Sequence, residues 1–467
     1  MDGTGAGCLQ EPARVRLPLL VAASHRPRLL GPGGSPISVP GPLAGLLDVV
    51  TGDPALRSAL DAAGRGSAGL DLTAPAGMRP FVVAALALRT GCPVLAVTAT
   101  GREAEDLVAA LGSLLDSDRV ALFPSWETLP HERLSPRADT VGRRLAVLRR
   151  LAHPSPDDGP DADPATGRID VVVAPVRSLL QPQVRGLGEL EPVALVQGQE
   201  CDPDDAVRRL VDLAYARVEL VEKRGEFAVR GGIVDVFPPT EEHPVRVEFW
   251  GDTVEEVRWF KVADQRSLEV ASHGLWAPPC RELLLTDDVR ERARALAQTH
   301  PELREICERI ADGTPVEGME ALSPVLVDDL VLLVDELPAG TTVLVCDPER
   351  IRTRAHDLVR TSQEFLEASW STAAVGGVAP VDLGAAAYHS LADVREHARA
   401  IGLPWWSITP FTSDAELEDD TVVLAARQPT AYRGETDRAV ADVRRWLADG
   451  WAVVLTTQGH GPAQRAV

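Results

Sequence analysis

The sequence has no C-x-x-C pair, and its six cysteines, Cys8, Cys92, Cys201, Cys280, Cys307 and Cys346, stand singly with no histidine cluster beside them. That spacing indicates neither a disulfide framework nor a zinc site and suits a reducing cytoplasm. No apolar run approaches the ~20 residues of a membrane span, so no membrane partner is expected. Lysine is nearly missing: Lys223 and Lys261 are the only two among 47 basic residues. With the abundance of Ala, Gly and Pro, this reads as genomic base composition rather than function. The net charge of −22 argues against non-specific nucleic-acid binding by the whole chain, because each phosphate contact needs a cation, although a local basic patch can still touch DNA. Aromatic residues make up 4% of the chain, too few for an extended base-stacking platform. G-K-[ST] and D-E-x-H boxes are both absent.

What is present is a chain of 467 residues, long enough for roughly two to four domains with cores of their own. The stretch DLTAPAGMRP, residues 71 to 80, has the layout of a phosphate-binding loop between a strand and the helix FVVAALALRT. Such a loop needs glycines, a Lys for the outer phosphates and a Ser/Thr for Mg²⁺. Here Ala76-Gly77 keeps part of the turn, while Met78, Arg79 and Pro80 replace Gly, Lys and Ser/Thr, and Pro80 also removes a backbone N–H. Taken alone, so degenerate a pattern is better read as an ordinary strand-to-helix loop, and the neighbouring sequence must decide.

Around it, GCPVLAVTAT reads as a buried strand, GREAEDLVAALGSLL as a helix running to about Leu115, RVALFPSW as a strand and DTVGRRLAVLRRL as a helix. Arg143, Arg144, Arg149 and Arg150 are placed on the solvated face of that last helix, opposite Val141, Leu145 and Leu148. This alternation predicts an α/β protein with a parallel sheet. Residues 153 to 168 are a Pro/Asp/Gly linker; IDVVVAPVRSLL is strand then helix. A further helix begins at DPDDAVRRLV, with Val207, Leu210, Val211 and Ala214 on its apolar side. The period then drops to two: Phe227 and Val229, a bulge or bend at Gly231-Gly232, and Val245, Val247 and Phe249 before a Gly251-Asp252 turn predict an antiparallel meander. Residues 281 to 365 are mainly helical with TTVLVCD as one strand; DTVVLAARQ is a further strand, and the end resembles residues 82 to 104 in form, with an apolar strand Val453 to Leu455.

Four blocks, FPSWETLPHERLSPRADTVGRRLAVL (123 to 148), DVVVAPVRSLLQP (170 to 182), LVDLAYARVELVEKRGEFAVRGGIVDVFPP (210 to 239) and VRVEFWGDTVEEVRWF (245 to 260), together resemble the N-terminal part of the transcription-repair coupling factor (Mfd) family. More distantly they resemble the excision-repair protein UvrB. The resemblance covers nearly everything after residue 44. It implies a degenerate RecA-like (UvrB-like) domain that has lost ATP binding, and no Tyr-rich hairpin of the UvrB kind occurs near Trp126 to Pro136. It also implies a division into a disordered extension (1–43), the first part of the RecA-like domain (44–151), a small α/β UvrA-binding-like domain (152–218), the second part of the first domain with a β-rich return (219–370) and an incomplete α/β domain (371–467).

By the same resemblance, UvrA is the expected partner, met by arginines and carboxylates. Arg217, in the shared YAR block, is the leading candidate, with Arg208, Arg209 and Arg185 behind it. Many family members have Arg where this chain has Pro182. RNA polymerase, DNA, ATP and Mg belong to domains further along the family's full length. The expectation is therefore a truncated, non-enzymatic fragment that keeps UvrA docking, with no metal and no cofactor. The alternatives are an active ATP-dependent helicase or translocase, and a scaffold without function.

Overall fold

The computed structural model describes residues 41–129, 132, 134–156, 163–374, 387–411, 421–428 and 430–456. The expected disordered extension lies outside these residues up to residue 40, as do parts of the 153–168 linker and of the C-terminal end. Residues 41 to 43, the end of that expected extension, lie within the described structure, where the Leu43 N–H donates to the Ser113 carbonyl at 2.7 Å.

Short, unbroken apolar runs become strands buried on both faces, as a helix-covered parallel sheet demands. VLAVT, VVVAP and TVLVC are buried at every position. Across the sheet the order is Thr421–Val423, Asp71–Thr73, Trp405–Thr409, Thr342–Cys346, Val94–Thr98, Val171–Pro175 and Val120–Leu122, seven strands, every neighbouring pair parallel. Alternate residues feed two cores. Leu95, Val97, Val172, Val343 and Val345 face one; Val94, Ala96, Val171, Val173 and Leu344 face the other. The strands Trp405–Thr409 and Thr421–Val423 thus complete the first sheet rather than opening a separate domain.

Within this frame, residues 193 to 280 build their own core. Val193–Leu195 at its start pairs antiparallel with Leu275–Ala277 at its end, so the chain enters and leaves at one place. Between them a six-stranded sheet runs Ser267–Val270, Thr253–Phe260, Val245–Trp250, Ile233–Val236, Glu226–Arg230 and Ala216–Arg217. Phe227, Val234, Val236, Val245, Val247 and Phe249 join one core with Ala206 and Leu210 of the helix Pro203–Asp212. The meander and that helix are therefore one module, and the division at residue 218 expected from the sequence cuts through its core.

Smaller expectations also shift. The helix from Gly101 stops at Leu111, and Leu114 and Leu115 are buried beyond it in a turn. Gly231-Gly232 is a two-residue hairpin turn between paired Arg230 and Ile233, not a bulge, and Gly231 takes the positive φ of 61° that such turns require. On Pro203–Asp212, Val211 is 49% exposed and Ala214 lies past the helix end at φ 65°. Arg427–Val467 falls in a second unit. There the helix Thr436–Ala448 buries none of its residues, and residues 451–456 form no strand, leaving Val454 and Leu455 exposed.

Among the described residues five cysteines are free. Burial pushes the Cys346 thiol up to about 12 and the Cys307 thiol up to about 11. Since the thiolate is the nucleophile, alkylation of native protein at pH 8 is expected to reach the half-buried Cys92 and Cys201 and to spare Cys280, Cys307 and Cys346 until denaturant is added. Peptide mass mapping reads this directly, and native labelling at Cys346 would contradict the packing of its strand.

Candidate functional site

The loop after Asp71–Thr73, expected from the sequence to be a phosphate-loop remnant, lies beyond the C-terminal end of a strand, where nucleotides are held in parallel sheets. Asp71–Thr73 leads into a single 3₁₀ turn, Ala76–Met78, and then the helix Arg79–Thr90. A Cβ added at Gly77 would meet nothing within 4 Å, so the fold has no steric need for glycine there. Pro75 and Pro80 flank the turn without N–H groups. Met78 N–H is spent on the Pro75 carbonyl at 2.8 Å. Arg79, in the lysine's place, turns its guanidinium to Asp347 at 3.2 Å, with both side chains largely buried. Asp347 caps the strand Thr342–Cys346 at a left-handed φ of 71°, a conformation that costs energy for a non-glycine residue. The cation available for a phosphate is thus held by an internal carboxylate. Among the described residues no group of three or more His, Cys, Asp or Glu is placed to hold a metal ion, and no helix is long and apolar enough to cross a membrane.

The four candidate arginines do not form one cluster. Arg217 is exposed on the edge strand Ala216–Arg217, which pairs in parallel with Glu226–Arg230. Neighbouring N–H groups of Ala216 and Val218 bond inward to Gly225 and Phe227, and Arg217 has no ion pair or side-chain hydrogen bond among the described residues. Arg208 is exposed but bonded at 2.9 Å to Asp205 one helical turn back. Arg209 reaches the Pro192 carbonyl at 3.0 Å and ties the helix to the module's entry strand. Arg185 lies outside the module, 3.3 Å from Asp329. Pro182 is buried, so that position presents nothing to a partner.

The residue that sequence reasoning missed is Trp250. In Val245–Trp250 the inward positions Val245, Val247 and Phe249 force Arg246, Glu248 and Trp250 to the opposite face. Trp250, just before the Gly251-Asp252 turn, is 79% exposed, the highest value among the exposed large apolar side chains. On the same face Arg246 makes a two-pronged bond to Asp235, at 2.7 and 2.9 Å, and lies over the Phe260 ring at 4.8 Å. The bond to Asp235 raises the Arg246 pKa further, so this charge is fixed in place and in sign. Tryptophan is among the residues enriched at protein-binding hot spots.

What seats the module is a second feature hidden from the sequence. Arg144 is fully buried, contrary to its expected place on a solvated face. Its Nε donates to Glu282 Oε1 at 2.5 Å, and its two terminal nitrogens donate to the Pro124 carbonyl and Gln183 Oε1, both at 3.0 Å. Trp126 Nε1 donates to the same Glu282 oxygen at 2.9 Å, and the guanidinium covers the Phe123 ring at 4.2 Å. Glu282 follows the module's last residues, so this pair ties its exit to the helix Ala138–Ala152. Two turns of that helix touch the module directly. Ala138 meets Gly225, and a Cβ on Gly142 would come within 2.4 Å of Pro239.

A family model described as the UvrB interaction domain matches residues 193–278, the bounds of this module. A transcription-repair-coupling factor of Mycobacterium bovis is 50% identical over 442 residues, covering 91% of this chain and 35% of that protein. The factor of Escherichia coli is 29% identical over 271 residues, 56% of this chain and 22% of its own length. UvrABC system protein B of Rhodopirellula baltica is 32% identical over 128 residues, 26% of this chain and 17% of its own. The chain spans about a third of the length of the first of these relatives.

Proposed function

We propose, for a chain homologous over 91% of its length to the N-terminal region of transcription-repair-coupling factors, that it serves transcription-coupled nucleotide excision repair as a docking module for UvrA. The observation that carries this reading is the core of residues 193 to 280, packed against the helix Ala138–Ala152 and presenting the exposed Trp250 and the edge strand Ala216–Arg217. Trp250 supplies the apolar anchor and Arg217 the unpaired charge. ATP-driven release of RNA polymerase and movement on DNA are not assigned to this chain. The Arg79–Asp347 pair and the two prolines leave the loop short of the cation and the N–H groups that ATP phosphates need, and Pro80 offers no hydroxyl for Mg²⁺.

The test is calorimetric titration of the full chain with UvrA. Binding by the wild type is expected, weakened at least about tenfold in Arg217→Glu, since a hydrogen bond to a charged group contributes about 1.5–3 kcal/mol. Folded wild-type protein that gives no heat would overturn the docking reading. Titration with ATP and Mg²⁺ is expected to give no heat and no phosphate release; turnover would restore the helicase alternative.

A further inference from the structure

Beside the Arg144–Glu282 pair lies a small cavity of about 20 Å³, lined by Trp126, Gln181, Gln183, Glu282, Glu320 and Ser323, among others. Gln181 is 1% exposed and Gln183 2%. Both amide atoms of Gln181, Nε2 and Oε1, and Gln183 Nε2 have no hydrogen-bond partner among the described residues. Buried side-chain amides in folded proteins are overwhelmingly paired, and leaving one unpaired is costly. Three such atoms on two residues that line one cavity, two donors and one acceptor, point to a ligand that both accepts and donates.

Size and charge identify it. A water needs roughly 10–15 Å³ of such space, so one or two waters fit and any metabolite is excluded. The walls carry two carboxylates, but each already has its guanidinium: Glu282 bonds Arg144 at 2.5 Å, and Glu320 bonds Arg281 at 2.9 Å. With the charges balanced, neither a cation nor an anion is favoured over a neutral molecule.

We propose that this cavity is a structural water site, in which ordered water accepts from the side-chain N–H groups of Gln181 and Gln183 and donates to Gln181 Oε1. Gln183 Oε1 already accepts from Arg144 at 3.0 Å. The water therefore extends the ionic network by one link, from the module's anchor to the segment that follows the strand Val171–Pro175.

A crystal structure of the full chain at a resolution that shows solvent tests this. Density within about 3.2 Å of the Gln181 and Gln183 amides is expected. In solution, the chain labelled with ¹⁵N-glutamine should show a slow-exchange water contact on the two side-chain NH₂ signals, which are assigned by their loss in Gln181→Leu and Gln183→Leu. Amides turned to protein partners, a wall collapsed over the space, or both signals lacking any water contact would overturn the site.

Discussion

Arg144→Met is expected to lower stability by about 3–5 kcal/mol, the usual cost of removing one partner from a buried ion pair. The reason is not the strength of the pair itself. Glu282 is 2% exposed, and without Arg144 its charge has only the Trp126 N–H to meet it. Gln183 loses its partner at the same time. The double variant Arg144→Met/Glu282→Leu removes the orphan charge and should recover part of the loss, because the Trp126 indole, the Pro124 carbonyl and Gln183 Oε1 still lack their partners, each at about 1–3 kcal/mol. Urea denaturation followed by circular dichroism measures both. A single variant as stable as the wild type would mean that water reaches this pair.

Trp250→Ala is expected to weaken UvrA binding by about 2–4 kcal/mol, roughly 30- to 1,000-fold, as truncation of a hot-spot aromatic does. Because the side chain is 79% exposed in the free protein, the denaturation midpoint should not move. That separation makes the result decisive: binding lost with stability kept places the contact on the outer face of the sheet. An unchanged affinity would move the docking surface to the Arg217 edge or off the module.

Much of this was readable in the sequence for a plain physical reason. Strands buried on both faces must be apolar at every position, so VLAVT, VVVAP and TVLVC announce themselves, and the Val245, Val247, Phe249 alternation announces a half-buried one. The order of strands was not readable, because pairing depends on which surfaces meet after the chain has run hundreds of residues further. Arg144 was legible in register and overlooked in kind. It lies three residues after Val141 and four before Leu148, on the apolar stripe itself, yet a guanidinium suggests solvent until Glu282 is seen opposite it. Trp250 follows the same lesson from the other side: the alternation that buries Phe249 expels the next residue, whatever its hydrophobicity. The candidate arginines were chosen by resemblance and residue type, Arg217 first for its place in the shared YAR block, and the other three have partners within the chain.

The strand Asp71–Thr73 has two neighbours in its sheet, Trp405–Thr409 and Thr421–Val423. Both leave the ribosome more than 330 residues after it. At a synthesis rate of roughly 5–20 residues per second, the strand waits about 20 to 70 seconds with both edges open. The 193–280 module, whose two ends pair with each other, has no such delay. The 193–280 module is thus complete on the nascent chain well before the sheet that will carry it, and that sheet is the part of the molecule whose assembly calls for chaperone protection.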